Sequence, residues 1–278
     1  MSLLLFTALV ASGAFAAGML GALTGLGGGM VIVPMLTLLF HVDLRYAIGA
    51  SLISVIATSS GAAAAYVKEG YTNVRVGMLL EIATTLGALG GAYLAGRIGT
   101  GTIAVIFAVV LLYSAYRSTK PLAEHVSMEN DDSLSKRLRL ASTYPTPNGM
   151  QSYGVRAVPA GFGLMAVAGV LSGLLGIGSG ALKVLAMDQL MHLPFKVSTT
   201  TSNFMIGVTA AASAGIYLSR GYIDPSLALP VMLGVLAGAL TGARILAGAN
   251  TTVLRRIFAV VVVVLALEMA YKGIRGGL

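Results

Sequence analysis

The chain has 278 residues, of which 56% are hydrophobic and only 10% charged, with a net charge of +8. Soluble domains carry about 25% charged residues, so this composition cannot clothe a water-facing surface and most of the chain is expected in lipid. The absence of Cys excludes disulfides, thiolate metal sites and thiol catalysis, and no basic domain or motif makes nucleic acid a partner.

In chain order the sequence reads as five apolar pieces, a polar island, and five more pieces. The first set covers about 3–23, 29–40, 46–67, 76–96 and 100–117; the second covers about 158–175, 181–191, 197–218, 226–248 and 253–272. A span needs about 20 residues to cross roughly 30 Å of hydrocarbon, so 29–40 and 181–191 are expected to be re-entrant or broken helices. That leaves about eight full transmembrane helices. The ten-residue alternating segments of an outer-membrane barrel are missing. The expected fold is therefore an all-α polytopic membrane protein with two short helices.

At the N-terminus, Ala14-Phe15-Ala16 resembles a signal-peptidase site. No basic stretch precedes it, and Gly18 to Gly29 already has a counterpart later in the chain, so residues 3–23 are expected to be a retained span. The polar island, 118–156, holds Lys120, Glu124, Glu129, Asp131, Asp132, Lys136, Arg137, Arg139 and Arg156. Its Tyr144-Pro145-Thr146-Pro147-Asn148-Gly149 run reads as loop, and Leu134 to Leu140 as a short surface-lying amphipathic piece. Its Lys and Arg residues predict a cytoplasmic linker.

The pieces on either side of this linker repeat at an offset of 151 residues. His41 pairs with His192, Tyr66 with Tyr217, Gly70-Tyr71 with Gly221-Tyr222, and Ile106-Phe107-Ala108-Val109-Val110 with Ile257-Phe258-Ala259-Val260-Val261. Two homologous halves are expected, 1–117 and 157–278, an arrangement common among secondary transporters.

Candidate functional residues lie where polar or glycine-rich positions interrupt the apolar pieces. Gly25-Leu26-Gly27-Gly28-Gly29 and its counterpart Gly176-Ile177-Gly178-Ser179-Gly180 are not P-loops, because no Lys-Ser/Thr pair follows. Met30 and Ala181 stand where a dinucleotide fingerprint needs its third glycine. Glycines at these positions permit unwound backbone, which membranes tolerate where it is buried or lines a cavity. Its free N–H groups suit an anion. By contrast Gly87, Gly91, Gly234, Gly238 and Gly242 follow the spacing of close helix packing.

The run Ser198-Thr199-Thr200-Thr201-Ser202-Asn203 exceeds what a helix cap needs and offers donors to a desolvated oxyanion. Charges within the apolar pieces are Glu81, Lys183, Asp188 and Arg244. Charge inside a membrane is costly and marks candidate sites. Lys183 is the sharpest of these, three residues past Gly180. It is expected to add a full charge to the glycine cradle, the competing arrangements being a pair with Asp188 or an extension to the headgroups. Glu81 lies only about a turn and a half into its span, from where it could extend to the interface. Arg45 and Lys196, equivalent in the repeat, are expected either as anchors at the membrane edges or as entrance charges that attract anions.

The pattern Gly-x-Gly-Gly-Gly-x-x-x-Val-Pro at Gly25 to Pro34, repeated more loosely after the linker, resembles the TauE/SafE sulfite exporter family over essentially the whole chain. The second copy departs from it, with Ser179 for a glycine and Leu185 where Pro34 stands. The resemblance implies a cell (inner) membrane transporter for sulfite, sulfonates, sulfoacetate or a similar sulfur-containing anion, with export the expected direction. The substrate-binding set expected is Gly27, Gly28, Gly29, Gly178, Ser179, Gly180, Lys183, Thr200, Thr201, Ser202 and Asn203. Neither catalytic residues nor a cofactor or metal is expected, the three His being widely separated. The alternatives are an anion channel and, less favoured, a membrane-embedded hydrolase using Ser179 with His192.

Overall fold

The computed structural model describes residues 3–24, 28–68, 70–118, 132–146, 149–246 and 251–276. The first half contains α1 (Leu3–Thr24), α2 (Gly29–Leu38), α3 (Leu44–Lys68), α4 (Val74–Ala95) and α5 (Thr100–Ser118). A surface segment follows, with α6 (Ser133–Leu138) and two strands, β1 (Ser142–Thr146) and β2 (Gly149–Tyr153). The second half contains α7 (Val158–Leu175), α8 (Gly180–Leu185), a π turn (Ala186–Leu190), α9 (Phe195–Ser219), α10 (Pro225–Leu246) and α11 (Thr251–Arg275).

This is an all-α polytopic membrane fold. Among the described residues five helices, α1, α4, α7, α10 and α11, are long and apolar enough to cross a bilayer. The apolar exterior agrees with them: Met78, Ile82, Leu86, Leu89 and Tyr93 form an exposed stripe along α4, as do Ile257, Val260, Val264, Leu267 and Tyr271 along α11. Exposed apolar stripes of this length belong in hydrocarbon. As expected, 29–40 and 181–191 do not form full-length helices.

Glycines set how the long helices meet. A Cβ added to Gly87 would stand 2.2 Å from the Ala166 carbonyl oxygen, and one on Gly169 2.2 Å from that of Thr84. On the other side of the bundle, Gly238 meets the Phe15 carbonyl at 2.0 Å and Gly18 that of Val235 at 2.3 Å. Only a residue without Cβ admits such approach. Along each pair the contacts advance together, Gly87 and Gly91 meeting Ala166 and Val170, and Gly234, Gly238 and Gly242 meeting Ala11, Phe15 and Met19, so α4 runs parallel to α7 and α1 parallel to α10.

The central pairs run the other way. Gly49 near the start of α3 meets the Tyr222 carbonyl just past α9, whereas Gly207 within α9 meets Ser59 of α3. Gly101 at the start of α5 touches Gly273 at the end of α11. Thus α3 is antiparallel to α9 and α5 to α11, and elements 151 residues apart in sequence point in opposite directions.

Local details recur at the same offset. His41 and His192 both take left-handed backbone, at φ 54° and 57°, and Gly70 and Gly221 take φ 78° and 75°. The Val42 N–H donates to the Leu36 carbonyl and the Leu193 N–H to that of Met187. Arg45 sits over the Tyr222 ring at 5.6 Å and Lys196 over the Tyr71 ring at 5.2 Å. The short helices also lose regularity at equivalent places. Pro34 removes a backbone donor inside α2, and α8 gives way to the π turn just after Leu185.

Residues 142–146 and 149–153 are more ordered than a loop reading allows. Pairing from Ser142↔Tyr153 to Thr146↔Gly149 makes an antiparallel hairpin. Pro145 is tolerated because a two-stranded ribbon leaves each strand an edge. The hairpin is fastened to the α3–α4 turn, where Asn73 Nδ2 donates to the Leu140 carbonyl and to the Tyr153 hydroxyl, both at 2.9 Å. Asn73 also caps α4, accepting from the Val76 N–H. Leu140, Tyr153 and Val155 are buried against Val76, Leu80 and Met165.

Candidate functional site

The two glycine-rich segments converge between α3 and α9. Gly25, Leu26 and Gly27 lie outside the described residues. Gly29 approaches the Cα of Ile177, from which a Cβ added to the glycine would stand 3.3 Å, and Gly178 packs on Val55 and Ile206. Gly176, Gly178 and Ser179 all take positive φ, at 68°, 70° and 44°. Glycine adopts this conformation freely, whereas Ser179 holds it against a steric penalty. Hydroxyls from the flanking helices tie the turns down: Ser51 Oγ donates to the Gly176 carbonyl at 2.8 Å and Ser202 Oγ to the Gly180 carbonyl at 3.3 Å.

Several expected donors are directed elsewhere. Ser179 Oγ donates to the Ala168 carbonyl of α7 at 2.7 Å. The Thr200 hydroxyl lies 3.0 Å from the Tyr71 carbonyl, and Thr201 Oγ1 accepts from the Asn73 N–H at 3.0 Å. Thr199 bonds back to Phe195. Thr200 and Thr201 anchor α9 to the turn before α4. Gly28 faces Val235 and Gly18 rather than the opposite glycine segment. Asn203 is half-buried on α9, and its amide makes no hydrogen bond among the described residues.

Lys183 is the largest departure from membrane norms. Its side chain is 0% exposed. It turns into the bundle, where Nζ donates to Thr209 Oγ1 at 2.6 Å. Thr209 in turn donates to Glu81 Oε1 at 2.7 Å, and Thr85 donates to the same oxygen at 2.9 Å. A lysine and a glutamate from different helices are therefore bridged by one hydroxyl near the middle of α9. An ammonium carries three donors; two of those on Lys183 meet no acceptor among the described residues.

This arrangement corrects one reading and sets aside the two competing arrangements of Lys183. Glu81 does not reach for the interface: it is 9% exposed and turned inward. The hydroxyl bridge also explains why Lys183 neither extends to the headgroups nor needs Asp188, which lies buried in the π turn. Sequence reasoning missed Thr209 and Thr85 entirely. A signal was present in Glu81 and Thr85, which are four residues apart on one helix face. The packing of α4 on α9, which supplies the partner, had no sequence signature. The side chain of Arg244 lies outside the described residues.

Ser179 and His192 are not joined. Ser179 is buried with its hydroxyl on Ala168, and His192 is exposed beyond the π turn with Nδ1 3.1 Å from the Leu190 carbonyl. No group of metal-binding residues occurs among the described residues.

Parallel and antiparallel helix pairs around two glycine turns, with a lysine and a glutamate bridged by a hydroxyl in the interior, fit a membrane transport protein better than a hydrophobic anchor. The family model for "Sulfite exporter TauE/SafE" matches residues 10–269, and the chain belongs to that family of membrane transporters. It is 30% identical over 267 residues to a probable membrane transporter protein, YunE, of Bacillus subtilis (strain 168), covering 93% of this chain and 95% of that protein. Similarity to a second from that organism, YdhB, is 29% over 233 residues, covering 83% and 86%. A probable membrane transporter protein from Sinorhizobium sp, ORF9, is 23% identical over 257 residues, covering 92% and 89%. No solved structure matches the chain.

Proposed function

We propose that the protein is a secondary transporter that exports a small sulfur-containing anion, sulfite or a sulfonate, across the cytoplasmic membrane. The observation that carries this reading is Lys183: a wholly buried ammonium, beside a glycine turn, with donors left over. Such a group attracts an anion more strongly than in water because the surroundings screen it weakly. The tetrahedral or pyramidal oxygens of a sulfur oxyanion can each take a separate donor.

In this reading the binding set is Gly27, Gly28, Gly29, Gly178, Ser179, Gly180, Lys183, Thr200, Thr201, Ser202 and Asn203, with divided roles. Lys183 and Asn203 supply side-chain donors, and the glycine segments supply backbone. Thr200, Thr201 and Ser202 hold α9 in place through backbone partners. The chain is organised as two halves, 1–117 and 157–278, joined by a cytoplasmic linker at 118–156. Opposed halves around a central site suit alternating access, in which one half rocks against the other.

Flux into proteoliposomes loaded in turn with sulfite, sulfate, thiosulfate and small sulfonates tests the proposal. Saturable uptake with counterflow of one of these anions is expected. Transport of none of them, or unitary currents in a planar bilayer, would contradict it.

A further inference from the structure

Glu81 offers a second ligand position that the anion does not use. Its Oε1 accepts from Thr209 and Thr85, whereas Oε2 is buried and meets no donor among the described residues. A carboxylate oxygen without a partner in such a place is costly when charged, and protonation removes the cost. The charge that faces it is Lys183, one hydroxyl away. Along α4 lies α7, whose residues include no acid or base. On α9, Lys196 sits over Tyr71 at one end, and the Tyr217 hydroxyl sits on the Gly173 and Leu174 carbonyls toward the other. Asp188 lies further along the segment that carries Lys183, in the π turn.

We infer that Glu81 is a proton site linked to anion binding, taking up one proton when the anion occupies Lys183. This rests on the reading of Lys183 as the anion's partner. With Glu81 ionised, the Lys183–Thr209–Glu81 chain is neutral, and an arriving anion meets a carboxylate that competes for the same ammonium. With Oε2 protonated, Lys183 keeps a whole positive charge, and the carboxyl gains an O–H donor where it had an orphan acceptor. The proton comes from water, stays on Oε2 while the anion is bound, and returns to water when the anion leaves. Linkage is reciprocal, so the anion must favour the proton as strongly as the proton favours the anion. The repeat gives no second copy of the pair: Ile32 in the first half and Met232 in the second stand at the repeat positions of Lys183 and Glu81.

Methanesulfonate is the probe, because its charge is constant from about pH 4 to pH 8, a range that reaches from ordinary carboxyl values past those of imidazole. Its dissociation constant is measured on the purified full-length protein across that range, for wild type, Glu81→Gln, Thr209→Val and Lys183→Met. In the wild type affinity should fall at least tenfold from the acid to the alkaline end, and binding should remove one proton from weakly buffered solution. Glu81→Gln should bind at every pH as the wild type does at the acid end, with no proton uptake. Thr209→Val, which removes the bridge while keeping the shape, should flatten the pH dependence without losing the anion. A wild-type affinity independent of pH, or a Glu81→Gln variant that keeps the slope and the proton, overturns the inference. If Lys183→Met binds like wild type, or if methanesulfonate does not bind at all, the anion site itself is wrong and the linkage falls with it. Loss of binding in Lys183→Met with an unchanged slope in Glu81→Gln leaves the site standing and removes only the proton.

Discussion

Gly91 lies so close to α7 that a Cβ on it would stand 2.0 Å from the carbonyl oxygen of Val170. The contact belongs to backbone on both sides, so neither partner can turn a side chain away. Gly91→Val should separate α4 from α7 and destabilise the protein by about 1–3 kcal/mol, the usual range for overpacking. Gly90 is the internal control, since nothing lies within 4 Å of its Cβ position. Thermal unfolding in detergent should show a lowered transition for Gly91→Val and an unchanged one for Gly90→Ala. Equal transitions would mean that the two helices are not packed this way.

Lys183→Met should weaken anion binding by at least tenfold, about 1.4 kcal/mol, with expression retained, because the replacement fills the same space without charge. Lys183→Arg should keep part of the affinity: the charge survives, but a planar fork cannot reproduce the bond to Thr209. Isothermal titration with sulfite or thiosulfate measures both. Wild-type affinity in the Met variant would remove Lys183 from the site.

What the sequence made legible is what depends on composition and local pattern. The short pieces and the packing role of Gly87 and Gly238 follow from apolar length and small-residue spacing. Gly28 illustrates the limit: a glycine beside two others in sequence faces Gly18 and Val235, because the turn directs successive residues to different neighbours. Glu81 illustrates it again. Depth along its own helix pointed to the interface, yet depth in the bundle depends on where α9 crosses, and Asn73 bonded to Thr201 sets that register.

The glycines of the two turns should therefore separate by phenotype. Gly28→Leu would press on Val235 and on the Gly18 backbone, at 3.2 and 3.4 Å for the Cβ alone, and is expected to lose folded protein along with binding. Gly180→Ala meets only the tip of Ile206, Cδ1, at 2.9 Å and has Ser202 Oγ beyond it at 3.7 Å. A flexible methyl can move aside, so this variant should fold normally and bind anion more weakly. Size-exclusion profiles read the first effect and titration the second. Full binding by Gly180→Ala would place the anion away from the second turn.

The linker's anchor should fail in alkali. Burial pushes the Tyr153 phenol up to about 12 from its ordinary 10, the hydrogen bond from Asn73 opposing that rise in part. A group raised in the folded state stabilises docking fully below its unfolded pKa and loses that contribution as pH rises through the folded one. The hairpin should hold to about pH 10 and release as pH approaches about 12. The phenolate absorbance difference between wild type and Tyr153→Phe isolates this residue. A midpoint near 10 would show that the hairpin is not docked on Asn73.

Both chain ends should lie on the face opposite the linker. The chain enters the linker from the end of α5. Because α5 and α11 are antiparallel, with Gly101 against Gly273, Arg275 is carried to the other side. Phe6 packs edge-on against Phe40 at 5.9 Å, just past the end of α2, and the chain then enters α3 with Arg45 bonded to the Ile98 carbonyl, so α1 begins on that side too. Arg75, Lys136, Arg137, Arg139, Arg156 and Lys196 lie toward the linker face, which the distribution of basic residues predicts to be the cytoplasmic one. The protein has no native cysteine, so single cysteines report without background. Met150 in the hairpin and Ile274 near the end of α11 are both well exposed. A membrane-impermeant maleimide should label Ile274→Cys in intact cells and Met150→Cys only after permeabilisation. Reversed labelling would invert the orientation, and labelling of both from one side would contradict the antiparallel pairing of α5 with α11.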